Sequence, residues 1–270
     1  MRKIYGMYFS GTDTTKKIVE FLADRLSQYL QGEKRIYDFT LPAARKGYPE
    51  FTEDDIVVFG TPVIAGRVPN VLLPYLRTIR GNQAAAVPVV LYGNRNYDDA
   101  LIELRDLLEN GGFRTMAAGA FIGEHTFSKI LAAGRPDQKD METAGTFARQ
   151  IAESLAAWDG KHPVPVKGET PYRYYYQPRD RYGSKIDIRK VKPKVNDRCT
   201  GCGLCVEICP MGSISGEDVR QYTGICMKCG ACIKKCPHHA RYYDDEGYLY
   251  HKKELEEMYE RRAEPEIFLL

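Results

Sequence analysis

Every cysteine of the chain lies between Cys199 and Cys236. They form two runs with one spacing, C-x2-C-x2-C-x3-C-P: CTGCGLCVEICP ends at Pro210 and CMKCGACIKKCP ends at Pro237. Thiolates are soft ligands that suit iron, and a four-iron cube needs four sulfurs arranged around it. Two-residue gaps turn three successive sulfurs inward from one tight loop, and the fourth comes from elsewhere. Zinc ribbons instead pair C-x2-C knuckles across a long gap, a pattern these runs do not follow. A secreted disulfide scaffold would not leave so large a cysteine-free region beside the cysteines.

Over about 191–245 the sequence resembles the two-cluster bacterial ferredoxins, in which the last cysteine of each run serves the other cluster. The resemblance implies one [4Fe-4S] cluster on Cys199, Cys202, Cys205 and Cys236, and a second on Cys226, Cys229, Cys232 and Cys209. Pro210 and Pro237 would end the short helical turns. Gly201, Gly203 and Gly230 would let backbone amides approach the sulfides and tune the potentials.

A second group of residues has a different chemistry. FSGTDTTKK, residues 9–17, offers hydroxyls at Ser10, Thr12, Thr14 and Thr15, with Gly11 between them and a helical pattern behind. Unpaired N–H groups and the helix dipole favour an anion at such a place. The loop lacks the Gly-Lys-Ser/Thr ending of a P-loop and the spacing of a GxGxxG turn. It resembles the Ser/Thr-x-Thr-Gly-x-Thr loop of flavodoxins, with Ser10, Thr12 and Thr15 on the hydroxyl positions and Asp13 in place of the glycine. At about 4 Å a carboxylate would cost a phosphate roughly 4 kcal/mol per charge at an effective dielectric near 20. Either Asp13 turns away and caps the helix from Thr14, or no phosphate binds. Aspartate tolerates the left-handed backbone that a glycine would adopt here.

By the same resemblance, TPVIAGRVPN and GNRNYDD are the two loops that flank the flavin of FMN. The first supplies Thr61, Pro62, Val63, Ile64, Ala65 and Gly66, and the second Gly93, Asn94, Arg95 and Tyr97. Tyr97 is the candidate to stack on the isoalloxazine, with aliphatic Ile64 on the other face. Arg67 and Arg95 would favour a reduced, anionic flavin, or are ordinary surface arginines. Glu124 and His125, beside Thr126 and Ser128, are a candidate proton site.

These residues need a scaffold. KIYGMYFS, KRIYDFT, DIVVFGT, AAAVPVVLYG and FRTMAAGAFIG are short and rich in β-branched and aromatic residues. Helical patterns over about 14–30, 68–80, 98–110 and 137–157 separate them. Alternation of this kind implies a doubly wound, five-stranded parallel sheet covered on both sides, over 1–158. The fold class expected is therefore α/β, and the resemblances above imply that it is flavodoxin-like, with a small α+β two-cluster ferredoxin domain at 191–245. Prolines forbid a helix in 159–190, a basic, tyrosine-rich linker wrapped over the surface. RYYDDEGYLYH suggests a hairpin turning at Asp244–Gly247. Within the 246–270 tail, KKELEEMYERR suggests a charged helix packed through Leu255, Met258 and Tyr259.

GTPVIAGRVPN, GNRNYDDAL and GEHTFS extend the likeness to nearly the whole chain, which resembles the EFR-type ferredoxins, a flavodoxin-like domain fused to a two-cluster ferredoxin. That resemblance implies electron transfer in anaerobic-type metabolism. We expect an electron carrier, or the electron-transfer module of an FMN/iron–sulfur oxidoreductase, with a protein redox partner. The alternative is a docking or redox-sensing protein whose flavodoxin scaffold is empty. The net charge of +3 names no partner, but basic residues dominate from Lys161 to Arg198. YRYYYQPRDRYGSKIDIRK interleaves aromatics with arginines as single-strand binders do, but a linker that docks an acidic partner or covers the cluster domain is the simpler account, and no nucleic-acid partner is expected. No apolar run reaches membrane-spanning length, and the apolar N-terminus reads as a strand rather than a signal peptide. A cytoplasmic protein is expected.

Overall fold

The computed structural model describes residues 1–270. Its first part runs β1 (Lys3–Tyr8), α1 (Thr14–Leu30), β2 (Glu33–Asp38), β3 (Ile56–Pro62), α2 (Leu73–Leu76), β4 (Ala85–Tyr92), α3 (Ala100–Asn110), β5 (Arg114–Thr115), β6 (Ala117–Ile122) and α4 (Gln138–Ser154). The strands lie in the order β2-β1-β3-β4-β6, every neighbour parallel, and β5 is a short extra pair on β4. Every residue of β4 and β6 is buried, as central strands covered on both faces must be. On one face α1 and α4 pack Ile18, Leu22, Phe147 and Ile151 against the sheet. On the other face Leu72, Leu101, Leu104 and Leu108 cover it.

The helix expected over 68–80 is only α2, preceded by a 3-10 turn at Asn70–Leu72. Pro69 precedes the 3-10 turn and Pro74 lies in the first turn of α2, and each lacks an amide donor. The fifth strand is divided at Met116 into β5 and β6, which pair with different parts of β4.

The cysteine-bearing part is enclosed by β7 (Lys194–Val195) and β8 (Arg241–Tyr242), paired antiparallel. Between them lie two one-turn helices, α5 (Leu204–Glu207) and α6 (Ala231–Lys234). The hairpin expected after Arg241 does not form. Asp245 accepts a hydrogen bond from the Tyr248 amide at 2.8 Å and caps α7 (Glu246–Met258). Tyr248, His251 and Leu255 bury one helical stripe, whereas Met258, expected on it, is exposed. The chain then returns to the first sheet: β9 (Glu266–Leu269) adds antiparallel to β6.

The proline-rich segment makes no helix and packs against the first domain. Val164 is fully buried, the Tyr175 hydroxyl donates to the Val68 carbonyl at 2.7 Å, and Arg173 reaches buried Asp99 at 2.7 Å.

Candidate electron-transfer centres

The repeat in sequence is a repeat in backbone. In each run the residue before the one-turn helix is a glycine in the left-handed region, Gly203 at φ 78° and Gly230 at φ 76°. Two residues earlier Gly201 and Lys228 are left-handed as well, at φ 73° and 58°. These turns let successive cysteine side chains face one space. One cavity of about 390 Å³ is lined by Cys199, Cys202, Cys205 and Cys236, and a second of about 370 Å³ by Cys226, Cys229, Cys232 and Cys209. Cys232 borders both. Each set thus takes three thiols from one run and one from the other.

The donor chemistry fits iron–sulfur cubes. No cysteine is in a disulfide. Donors already face the sulfurs: the Ser213 and Ala240 amides lie 3.4 Å from Cys209 and Cys236 Sγ, and Arg241 lies 3.1 Å from Cys205 Sγ. Burial pushes the Cys229 and Cys232 thiols up to about 12. A metal must therefore displace their protons to hold them as thiolates.

The hydroxyl-rich loop joins β1 to α1, at the strand end where open α/β sheets bind ligands. Ser10 is buried; its amide donates to Thr40 Oγ1 at 2.8 Å, and its Oγ accepts from the Lys16 amide at 3.1 Å. The amides of Gly11, Thr12, Asp13, Thr14 and Thr15 donate to no group of the chain. Asp13 adopts φ 65°, and its side chain makes no cap for α1. Its carboxylate instead meets Lys235 Nζ at 2.8 Å. The charge that opposes a phosphate is thus paired with a lysine from the cysteine region. Thr14 packs against Gly123, Thr15 is buried against Gly60, and Thr61 Oγ1 is buried without a hydrogen-bond partner. Five open amides and an orphaned hydroxyl fit a phosphate ester at this end.

The ring end differs from expectation. Tyr97 is buried, its ring 5.5 Å from Tyr92 and its hydroxyl 3.0 Å from Glu266 Oε2, so its ring packs within the protein. Packing into the core and capture by the returning tail account for the difference. Arg67 is held by Glu103 through two bonds of 2.8 and 2.7 Å, and its guanidinium lies on Tyr172 and Tyr175. Arg95 pairs with Asp98 and lies 4.5 Å from the Tyr176 ring. Asn94 is buried and donates to the Tyr259 and Arg261 carbonyls, at 2.7 and 2.6 Å. Pro62 closes β3, the Val63 amide bonds Leu91 O, Ile64 pairs with Arg67, and the Ala65 carbonyl accepts from the Tyr176 amide at 2.8 Å. A Cβ on Gly66, at φ 78°, would meet Asp98, and one on Gly93 would meet His125. Burial, then the charge of Lys234, holds His125 near 3, so its ring is neutral. Glu124, the other candidate proton group, is instead bonded to Lys234 and to the Gly134 amide.

The cysteine region docks on these loops. A Cβ placed on Gly11 would stand 3.0 Å from Cys229 Cβ and 3.3 Å from its Sγ. Gly230 lies as closely on the Thr126 carbonyl. Lys234 ties the same edge to Glu124 and to the His125 and Ser128 carbonyls. Arg45 reaches across to the Pro210 carbonyl at 2.6 Å. Sequence reasoning missed Tyr176, Lys234, Lys235 and Arg241; the visible signal for Lys235 was its unmatched counterpart, Asp13.

Residues 198–241 match the 4Fe-4S dicluster domain. No curated protein matches the chain. Among solved structures, a flavodoxin from the domain Archaea is 15% identical, with 58% of this chain and 99% of that one covered at a TM-score of 0.42. The Streptococcus pneumonia TIGR4 flavodoxin is 19% identical, with coverage of 58% and 99% and a TM-score of 0.39. A flavone reductase is 10% identical, with coverage of 63% and 67% and a TM-score of 0.43. The strand order carries the fold by itself: a parallel β2-β1-β3-β4-β6 sheet is the flavodoxin-like doubly wound order. The chain therefore joins a flavodoxin-like domain to a 4Fe-4S ferredoxin region, a combination suited to electron transfer. No helix is long and apolar enough to cross a membrane.

Proposed function

We propose that this protein passes electrons between an FMN on the first domain and two [4Fe-4S] clusters, and exchanges them with a redox partner protein. The observation that carries the reading is the contact of Cys229, a ligand of the second cluster set, with Gly11 of the phosphate loop. The FMN supplies transfer of one or two electrons when bound, and the clusters supply transfer of one. The open amides of residues 11–15 would hold the phosphate. Lys235 neutralises Asp13 beside it, and the docked cysteine region covers Gly11. Arg95 and the neutral His125 belong to the loops that would border the ring. Resemblance to the EFR-type ferredoxins supports the same assignment.

The burial of Tyr97 favours a second reading, in which the loops hold no flavin and the iron sites sense redox conditions. Anaerobic purification with iron, sulfide and flavin measured per chain separates the two. About eight irons with one FMN support the relay, and eight irons without flavin support the sensor. Zinc or colourless protein would overturn both.

A further inference from the structure

The two cysteine runs match, but the residues after them differ. Five positions beyond the last cysteine, the first run has Ile214 and the second Arg241. Arg241 is 4% exposed and borders the cavity of Cys199, Cys202, Cys205 and Cys236. Its Nη2 lies 3.1 Å from Cys205 Sγ and also donates to the Val219 carbonyl, while Nη1 donates to the Tyr222 hydroxyl at 2.9 Å. It has no ion pair with any carboxylate. A guanidinium stays charged under all ordinary conditions, and a buried charge needs an opposite one nearby. Here that partner is the thiolate set. Ile214, also 4% exposed, borders the other cavity and brings no charge to it; the cation at that cavity, Lys228, bonds the Arg189 and Cys226 carbonyls and no cysteine sulfur.

The two sites differ in position too. Cys202 is exposed to solvent, whereas Cys229 packs on the phosphate loop. One site is outer and the other inner.

We infer that Arg241 makes the two clusters unequal: it holds the outer one, on Cys199, Cys202, Cys205 and Cys236, at the higher reduction potential and so makes it the terminal facing a one-electron protein partner. Reduction adds one negative charge, and Arg241 stabilises that charge most where it is bonded directly. An electron leaving the inner cluster oxidises it by one, reduces the outer cluster by one, and passes to an oxidised one-electron carrier. The charge also reaches Cys232, which borders both cavities, so the inner potential shifts in the same direction by less.

This inference rests on the two-cluster reading, and iron per chain checks that reading separately. The test is an anaerobic redox titration followed by electron paramagnetic resonance on the full chain. Cys202→Ser marks the outer cluster by changing its spectrum. The unaltered chain should reduce in two steps, and the serine should perturb the higher one. Arg241→Gln should lower that step more than the other and narrow the gap, while Arg241→Lys should retain most of it. Coincident steps, a serine effect on the lower step, or a shift in Arg241→Gln at least as large at the inner cluster would overturn the inference. If Arg241→Gln loads less iron than the unaltered chain, the serine assignment decides alone.

Discussion

The cysteine sites and the phosphate and flavin loops are built in opposite ways. The first draw all their cysteines from one short repeated stretch, and local left-handed turns aim them. The second are gathered from residues 10–15, 61–66, 93–97, 123–128, Tyr176 and the carbonyls of Tyr259 and Arg261. Covalent spacing sets the cysteine sites, so a substitution there should remove a function outright. Packing between distant segments sets the loops, so a substitution there should change a distance or an affinity by degrees.

The largest effect that can break this contrast is at Cys229. Cys229→Ala should cost the inner cluster, so that iron falls from about eight to about four per chain. Retention of all the iron would show that another residue completes the inner set. Next comes Gly11→Val, which places atoms against Cys229 where a Cβ alone already stands at 3.0 Å. We expect a loss of about 1–3 kcal/mol from overpacking, read by anaerobic urea unfolding, together with slower electron exchange between flavin and clusters. Gly47→Ala is the control, because Gly47 has an extended backbone and nothing within 4 Å.

A smaller effect concerns His251 on α7. Burial, then the charge of Arg95, lowers it from 6.5 to about 4. Below pH 6.5 the unfolded chain takes up a proton that the folded chain refuses. The contribution is therefore complete above 6.5 and is lost as the pH falls toward 4, at up to about 1.36 kcal/mol per unit. His251→Gln should flatten the fall in unfolding midpoint between pH 7 and pH 5. An unchanged slope would remove His251 from the account.

The smallest stability effect belongs to the half-exposed Asp13–Lys235 pair, worth roughly 0.2–1 kcal/mol in a double-mutant cycle. The same pair gives a sharp binding test. Because Asp13 is turned to Lys235, Asp13→Asn should change FMN affinity by less than about tenfold. A carboxylate facing the phosphate at about 4 Å would instead cost roughly 4 kcal/mol, close to a thousandfold.

Much of this was legible without coordinates. The spacing of the cysteines, the alternation of apolar strands with helices and the oddity of Asp13 all stand in the sequence. The surroundings of Tyr97 were not legible, because an aromatic residue in a loop looks alike whether it faces a ligand or the core, and Glu266, which holds its hydroxyl, lies far along the chain. The helix α7 was misread because its glycine and paired aspartates carry turn chemistry, and only the buried stripe of Tyr248, His251 and Leu255 selects the helix. Four residues such as β9 have too short a pattern to announce a strand, and their pairing needs the free edge of β6.

That last strand has a mechanical consequence. The iron-bearing region leaves the first sheet after α4 and is anchored to it again through Asn94 and β9. A module hung from one flexible tether would swing, and its encounters with the loop would limit turnover. Stitched down at both ends, it is a fixed bridge, and the width of the gap between Gly11 and Cys229 becomes a constant of the molecule rather than a matter of chance collision.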